Sequence, residues 1–336
     1  MTSRTRILLA LAGVLALAAA AIVYTGLVRA RNRDAAVART TDTVTLTGPR
    51  LLFRSTADDE RGHLATVAAD DPGGARAVST MTCNRVYAAG GTGLCLRPEN
   101  GLTTYQLAVF DAGLAVKQEI PLVGLPNRAR VSPSGQRVAW TVFVTGDSYN
   151  GGKFSTRAGM LDTTTDALEG TLEDFGVTVD GKPYQAADLN FWGVTFAQDE
   201  NRFFATMSTG DHRYLVEGDV SARTVHTVRD NVECPSLSPD GRRIAFKSAV
   251  DGDPAKGWRL SVLDLASGAV TPLAEGRSVD DQPAWLDDRT IAYGIPRGGG
   301  HSDVWAVPAD GSGSARLLIP EAESPAALEP PTPGHE

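Results

Sequence analysis

From residue 50 onward the apolar positions arrive in runs of four or five, too short for helices, and turn-forming residues bound each run. Four stretches show the pattern best: "SPSGQRVAW" (Ser132–Trp140), "AQDENRFFA" (Ala197–Ala205), "SPDGRRIAF" (Ser238–Phe246) and "LDDRTIAY" (Leu286–Tyr293). Weaker copies begin at Arg50 ("RLLFRS") and Gly93 ("GLCLRP"). Asp-Gly or Ser-Gly ahead of a run supplies the positive φ of a tight hairpin. Ten to twenty residues later comes an alternating strand that closes on aspartate, at Asp70, Asp111, Asp162, Asp219, Asp264 and Asp310, spaced 41 to 57 residues apart. These aspartates are read as turn caps rather than as metal ligands or acid/base groups. A further strand follows each, as in "AVTPLAE" and "ARLLIP".

Four strands per unit at this period predict an all-β, six-bladed β-propeller of four-stranded antiparallel blades. The first unit lacks an inner strand of its own. "ESPAAL" (Glu323–Leu328) echoes "ECPSLS" and "DQPAWL", which open other units. The chain's last strand is therefore expected to complete blade one, removing an exposed sheet edge. On this reading residues 43–328 form the propeller and 329–336 a disordered, Pro-rich tail.

The N-terminus breaks the pattern. Ile7–Val28 is an uncharged, mostly apolar run between the short basic segment 1–6 and Arg29, Arg31 and Arg33. It is long enough as a helix to span a bilayer and longer than the apolar core of a cleaved signal, so a transmembrane signal anchor is expected there. Residues 29–42 then form a juxtamembrane linker. This places the propeller, single-pass anchored, on the extracytoplasmic side of the cytoplasmic membrane. The first forty residues hold six arginines against one aspartate, while the whole chain carries −8. The remainder is strongly acidic and repels phosphate backbones, which excludes nucleic acid as a partner class.

Three cysteines refine the compartment. Cys83 and Cys95 sit at the ends of a hairpin turning at Gly90, Gly91 and Gly93, and are either a disulfide or two small buried hydrophobes. The disulfide is preferred and suits an oxidising compartment. Cys234 is then unpaired and buried.

"SPDGRRIAF" followed by "LSVLDLASG" resembles the repeat of TolB-like propellers, WD-like repeats with a Pro-Asp-Gly signature, here of a bacterial membrane-anchored type. The resemblance is strongest over 231–320 and implies the fold. It does not carry over TolB's partners, because the extra N-terminal domain of TolB is not recognisable in this chain.

Two segments depart from the repeat: "TGDSYNGGKFS" (Thr145–Ser155) inside blade three, and "EDFGVTVDGKPYQAADLN" (Glu173–Asn190) between blades three and four. Both are placed on the face of the second-to-third-strand loops. Tyr149, Asn150, Lys153, Lys182 and Tyr184 are the binding candidates there, suited to peptide or glycan contacts. The competing reading is two solvated insertions with no ligand. Trp140, Trp192, Trp285 and Trp305 read as packing residues.

No catalytic signature is present. "GDSYNG" has the wrong spacing for a nucleophile elbow, the five histidines show no zinc spacing, and "DGDPAKG" at Asp251 lacks the bidentate glutamate of a calcium loop. "DFG" at Asp174 lacks the other kinase motifs. The expected function is a binding or scaffold module for a protein or cell-envelope component, without cofactor or metal. The alternative is a lactonase- or dehydrogenase-like propeller enzyme with a metal or cofactor in the central channel. The inner strands "ARVSPS", "CPSLSP" and "QPAWLD" read as small and apolar, which disfavours it.

Overall fold

The computed structural model describes residues 38–99, 104–144 and 155–328, together with Gly13 and residues 17–19, which are helical. Most of the expected anchor and its flanks, and the tail 329–336, lie outside the described residues. Among the described residues no helix is long and apolar enough to cross a membrane. Residues 1–39 form a unit separate from 40–336.

The described residues of 50–328 fold into six sheets, each built on four antiparallel strands. The inner strands are Ala322–Leu328 for blade one, Arg85–Ala89 for two and Leu125–Val131 for three. Asn190–Phe196, Glu233–Leu237 and Ala284–Asp287 serve blades four, five and six. Each inner strand touches its neighbours on both sides, so the six close a ring around a channel. Blade one is completed by the C-terminus: Ala322–Leu328 pairs antiparallel with Arg50–Ser55, with Arg50 opposite Leu328 and Ser55 opposite Ala322.

The short apolar runs are the second strands of the blades, buried on both faces. Side chains alternate across a strand, so Leu52 packs toward blade two while Leu51 and Phe53 pack toward blade six. Phe203 and Phe204 divide likewise between blades three and five. The buried apolar residues form six clusters, one at each junction between neighbouring blades. A strand apolar on both faces cannot show clean alternation, which is why these runs are continuous in sequence.

The recurring turn has one geometry. In blade three Ser132 N–H donates to Arg137 O, Ser132 Oγ accepts from Arg137 N, and Gly135 takes φ +80°. In blade five Ser238, Arg243 and Gly241 (φ +68°) repeat it. The strand-ending aspartates are caps. Asp264 Oδ1 accepts from Ser267 N and Oγ, and Asp111 Oδ1 accepts from Gly113 N and Ala115 N. The Ser267 bonds hold the Asp264 carboxyl below the usual range.

One sheet departs from the four-stranded plan. Part of the segment between blades three and four, expected as loop, forms a hairpin of Gly176–Val179 and Lys182–Tyr184 that extends blade four to six strands. Gly176–Val179 runs parallel to the outer strand Thr224–Arg229, a pairing that needs a crossover and leaves no hairpin signal in sequence.

Cys83 and Cys95 form a disulfide with Cα atoms 5.5 Å apart. It ties the lead-in of blade two's inner strand to its second strand. A loop of this length should contribute about 3 kcal/mol by restricting the unfolded chain. Replacing both cysteines by alanine is expected to lower the denaturant midpoint and, because the unfolded chain is then less restricted, to raise the slope slightly, measured by urea unfolding under non-reducing conditions.

Candidate functional site

Strands alternate in direction within a blade. The turns between first and second strands therefore lie on one face, and the second-to-third-strand loops on the other, with the blade-to-blade connections. On that second face a cavity of about 610 Å³ opens at the mouth of the channel, among blades three, four and five. Its wall is built from residues in the first half of inner strands, among them Arg85, Arg128, Asn190 and Glu233, from Pro254 on the second-to-third-strand loop of blade five, and from Trp258 at the first position of the strand that follows that loop.

Blade five supplies the most developed cluster. Glu233 is 5% exposed, with Lys247 Nζ 3.3 Å from Oε2 and Arg213 Nε 2.6 Å from Oε1. Lys247, 3% exposed, also pairs with Asp280 on the blade-six side of the rim. Its Nζ stands 4.3 Å from the Trp258 ring centroid, and Arg213 stands 6.0 Å from the same ring. Burial pushes the Glu233 carboxyl up against the pull of Lys247 and Arg213. Desolvation acts against Lys247, yet the neighbouring Cys234, Glu233 and Asp280 outweigh it and raise its pKa.

This cluster varies a device used in three successive blades. Glu233 opposes Lys247 in register, and in blade one Glu323 pairs with Arg54 at 2.8 Å. In blade six the second-strand partner is Gly294, which offers only its N–H to Asp281 Oδ2 at 3.0 Å. Asp281 is left free to reach across to Arg85 of blade two at 3.4 Å.

Below the cavity the channel is crossed by side chains. Gln282 Nε2 donates to Val194 O and Pro235 O, joining blades four, five and six. Arg130 donates to Pro283 O and lies 4.2 Å from the Tyr87 ring centroid. The space left there is about 30 Å³, room for a water but not an organic ligand. A ligand therefore belongs in the mouth.

The inner strands are thus not mainly small and apolar at this end. Arg128, Arg130 and Glu233 lie on them, and Asp280, Asp281 and Gln282 lead into one. Arg130 and Gln282 stand inside "ARVSPS" and "QPAWLD", while Arg128, Glu233, Asp280 and Asp281 lie one or two residues before the stretches read as inner strands. Of the sequence candidates, Tyr149, Asn150 and Lys153 lie outside the described residues. Their insertion leaves blade three beside Phe143, which lines the cavity, and returns at Ser155. Lys182 is exposed on the added hairpin of blade four, and neither it nor Tyr184 lines the cavity. Tyr184 Oη is 2.9 Å from Thr209 Oγ1, which donates to Asp188 Oδ1 in the cavity wall. Trp258 was missed. The signal for it was the eight-residue loop 250–257, where Asp251 pairs with Lys256 at 3.0 Å and where blade four spends only Gly210 and Asp211. Among the described residues no three His, Cys, Asp or Glu are grouped to hold a metal.

A protein named TolB homolog from Chlorobium chlorochromatii is 42% identical over 59 residues, which are 17% of this chain and 12% of that relative's length. TolB from Acinetobacter baumannii superposes with a TM-score of 0.61 over 84% of this chain and 67% of that one, at 16% identity. The chain has the TolB-type propeller fold. A chain of a nidogen–laminin complex aligns at 0.55 over 84% of this chain and 98% of its own, at 11% identity. At such identities the likeness concerns the fold alone. No family model matches the sequence.

Proposed function

We propose that this protein is a membrane-anchored, extracytoplasmic binding or scaffold module whose propeller receives a segment of a protein or envelope component at the channel mouth. The observation that carries the reading is the 610 Å³ cavity, walled mainly by blades three, four and five, with Arg85 of blade two and Asp280 on the blade-six side. It combines an indole face with paired charges, the mixture expected where a polar chain carrying an apolar anchor docks. Tyr149, Asn150 and Lys153 would extend the wall on the blade-three side, and Lys182 and Tyr184 the blade-four perimeter. The apolar run Ile7–Val28 supports the anchor, and the Cys83–Cys95 disulfide supports an oxidising compartment.

The test is affinity capture with the full chain from solubilised membranes. Trp258→Ala, or replacement of residues 146–153 by a short Gly-Ser linker, should cut recovery of the captured species at least tenfold while thermal melting stays near that of the natural protein. Unchanged recovery in both variants removes the site from this face.

A further inference from the structure

Arg128 distinguishes itself among the cations of the cavity. Lys247 and Arg213 are matched to Glu233 and Asp280, and Arg85 to Asp281. Arg128 is 8% exposed and lies on the cavity wall. It donates to the carbonyl of the adjacent Asn127, at 3.1 Å, and its other close polar neighbour is the Cys234 side chain. Its Nε is buried with no hydrogen-bond partner among the described residues, and no carboxylate there lies within ion-pair distance. Asp280 and Asp281 balance its charge from beyond ion-pair distance, so what stays open is a buried donor, and a buried donor left unmade is costly. Its fork of parallel N–H groups matches the two oxygens of a carboxylate. Desolvation disfavours its charge, yet Cys234, Asp281 and Asp280 outweigh that and keep it protonated.

We infer that the cavity takes a single organic carboxylate on an aromatic or aliphatic body, anchored by Arg128. The wall selects for one negative charge and against several: Asp188, Asp211, Glu233 and Asp280 also line it, so a phosphate ester or other polyanion meets repulsion. Trp192, Trp258 and Phe143 line the same cavity and give the body of the ligand an apolar surface. The inference rests on the cavity being the binding site. Two sources share the chemistry, a small carboxylic acid and the free carboxyl terminus of a peptide.

The experiment titrates the full chain in detergent with 3-phenylpropionate and with its amide, following tryptophan fluorescence. The acid should bind at least tenfold tighter than the amide. Arg128→Met should weaken the acid at least tenfold, to the level of the amide, and Arg128→Lys should fall between. Equal binding of acid and amide, absence of acid binding, or an undiminished affinity in a folded Arg128→Met protein would each overturn the inference. If Arg128→Met does not fold, the acid-to-amide ratio of the natural protein decides alone. A peptide ending in phenylalanine with a free carboxyl, set against its amide, separates the sources: tighter binding than 3-phenylpropionate assigns the site to a chain terminus, weaker to a small acid. Capture that depends on Trp258 but with no acid binding would remove the carboxylate and leave the binding module standing.

Discussion

Ending the chain at Glu321 is expected to abolish the cooperatively folded propeller. The cut removes the inner strand of blade one, its pairing with Arg50–Ser55, and the buried Ala322, Ala326 and Leu328. It also removes Glu323, the partner of Arg54. Arg76, 1% exposed and 4.9 Å from the Phe53 ring centroid, donates to Pro320 O and Glu321 O and so holds the entry to this strand. Loss of the leucine alone should cost about 2–5 kcal/mol. With the strand's hydrogen bonds gone and both neighbouring blades uncovered, the total should exceed roughly 5 kcal/mol, comparable to the whole stability of many domains. Circular dichroism melting is the measurement. A cooperative transition within a few degrees of the natural protein would mean that ring closure contributes little.

Lys247→Ala should produce the second large effect, a destabilisation of about 3–5 kcal/mol, because it leaves Glu233 buried against Arg213 alone. Adding Glu233→Gln should recover part of that loss, since the double variant no longer buries the unmatched carboxylate. Urea unfolding of the single and double variants measures both. An additive double variant would show that the pair is not coupled. The pH dependence has a definite sign. Desolvation raises the Asp280 carboxyl, but Lys247, Arg128 and Arg85 outweigh it and hold the group below the ordinary aspartate value of about 3.8. Its contribution is therefore full above that value and is lost as the pH falls through the lower, folded-state value. Lys247 is raised above 10.5, so its contribution is complete below that value and disappears as pH climbs through the folded-state pKa.

The ring was legible in the sequence because its signals are local and repeated. Ser238, Gly241 and Arg243 make a turn from neighbouring residues, and the same turn returns at Ser132, Gly135 and Arg137. Closure was legible too, since "ESPAAL" carries the same carboxylate-x-Pro as "ECPSLS". The site was less legible because proximity around a ring is not sequence spacing. Arg85 and Asp281 meet across the channel from positions 196 apart. The extra hairpin of blade four turns on Asp180-Gly181, but its parallel pairing with Thr224–Arg229 left no local signal, so the sheet perimeter that carries Lys182 was not legible. Arg128 stands in an ordinary-looking strand, and only the fold reveals that its guanidinium lacks a carboxylate.

Site-specific photo-crosslinking tests the central claim most directly. A benzophenone amino acid in place of Trp258 faces the cavity, whereas the same residue in place of Arg289, on the turn between the first two strands of blade six, faces the other side of the ring. Irradiation of the full chain in its native membrane should give a discrete adduct from position 258 and none from 289. Adducts from 289, with none from 258, would contradict the assignment of binding to the channel mouth.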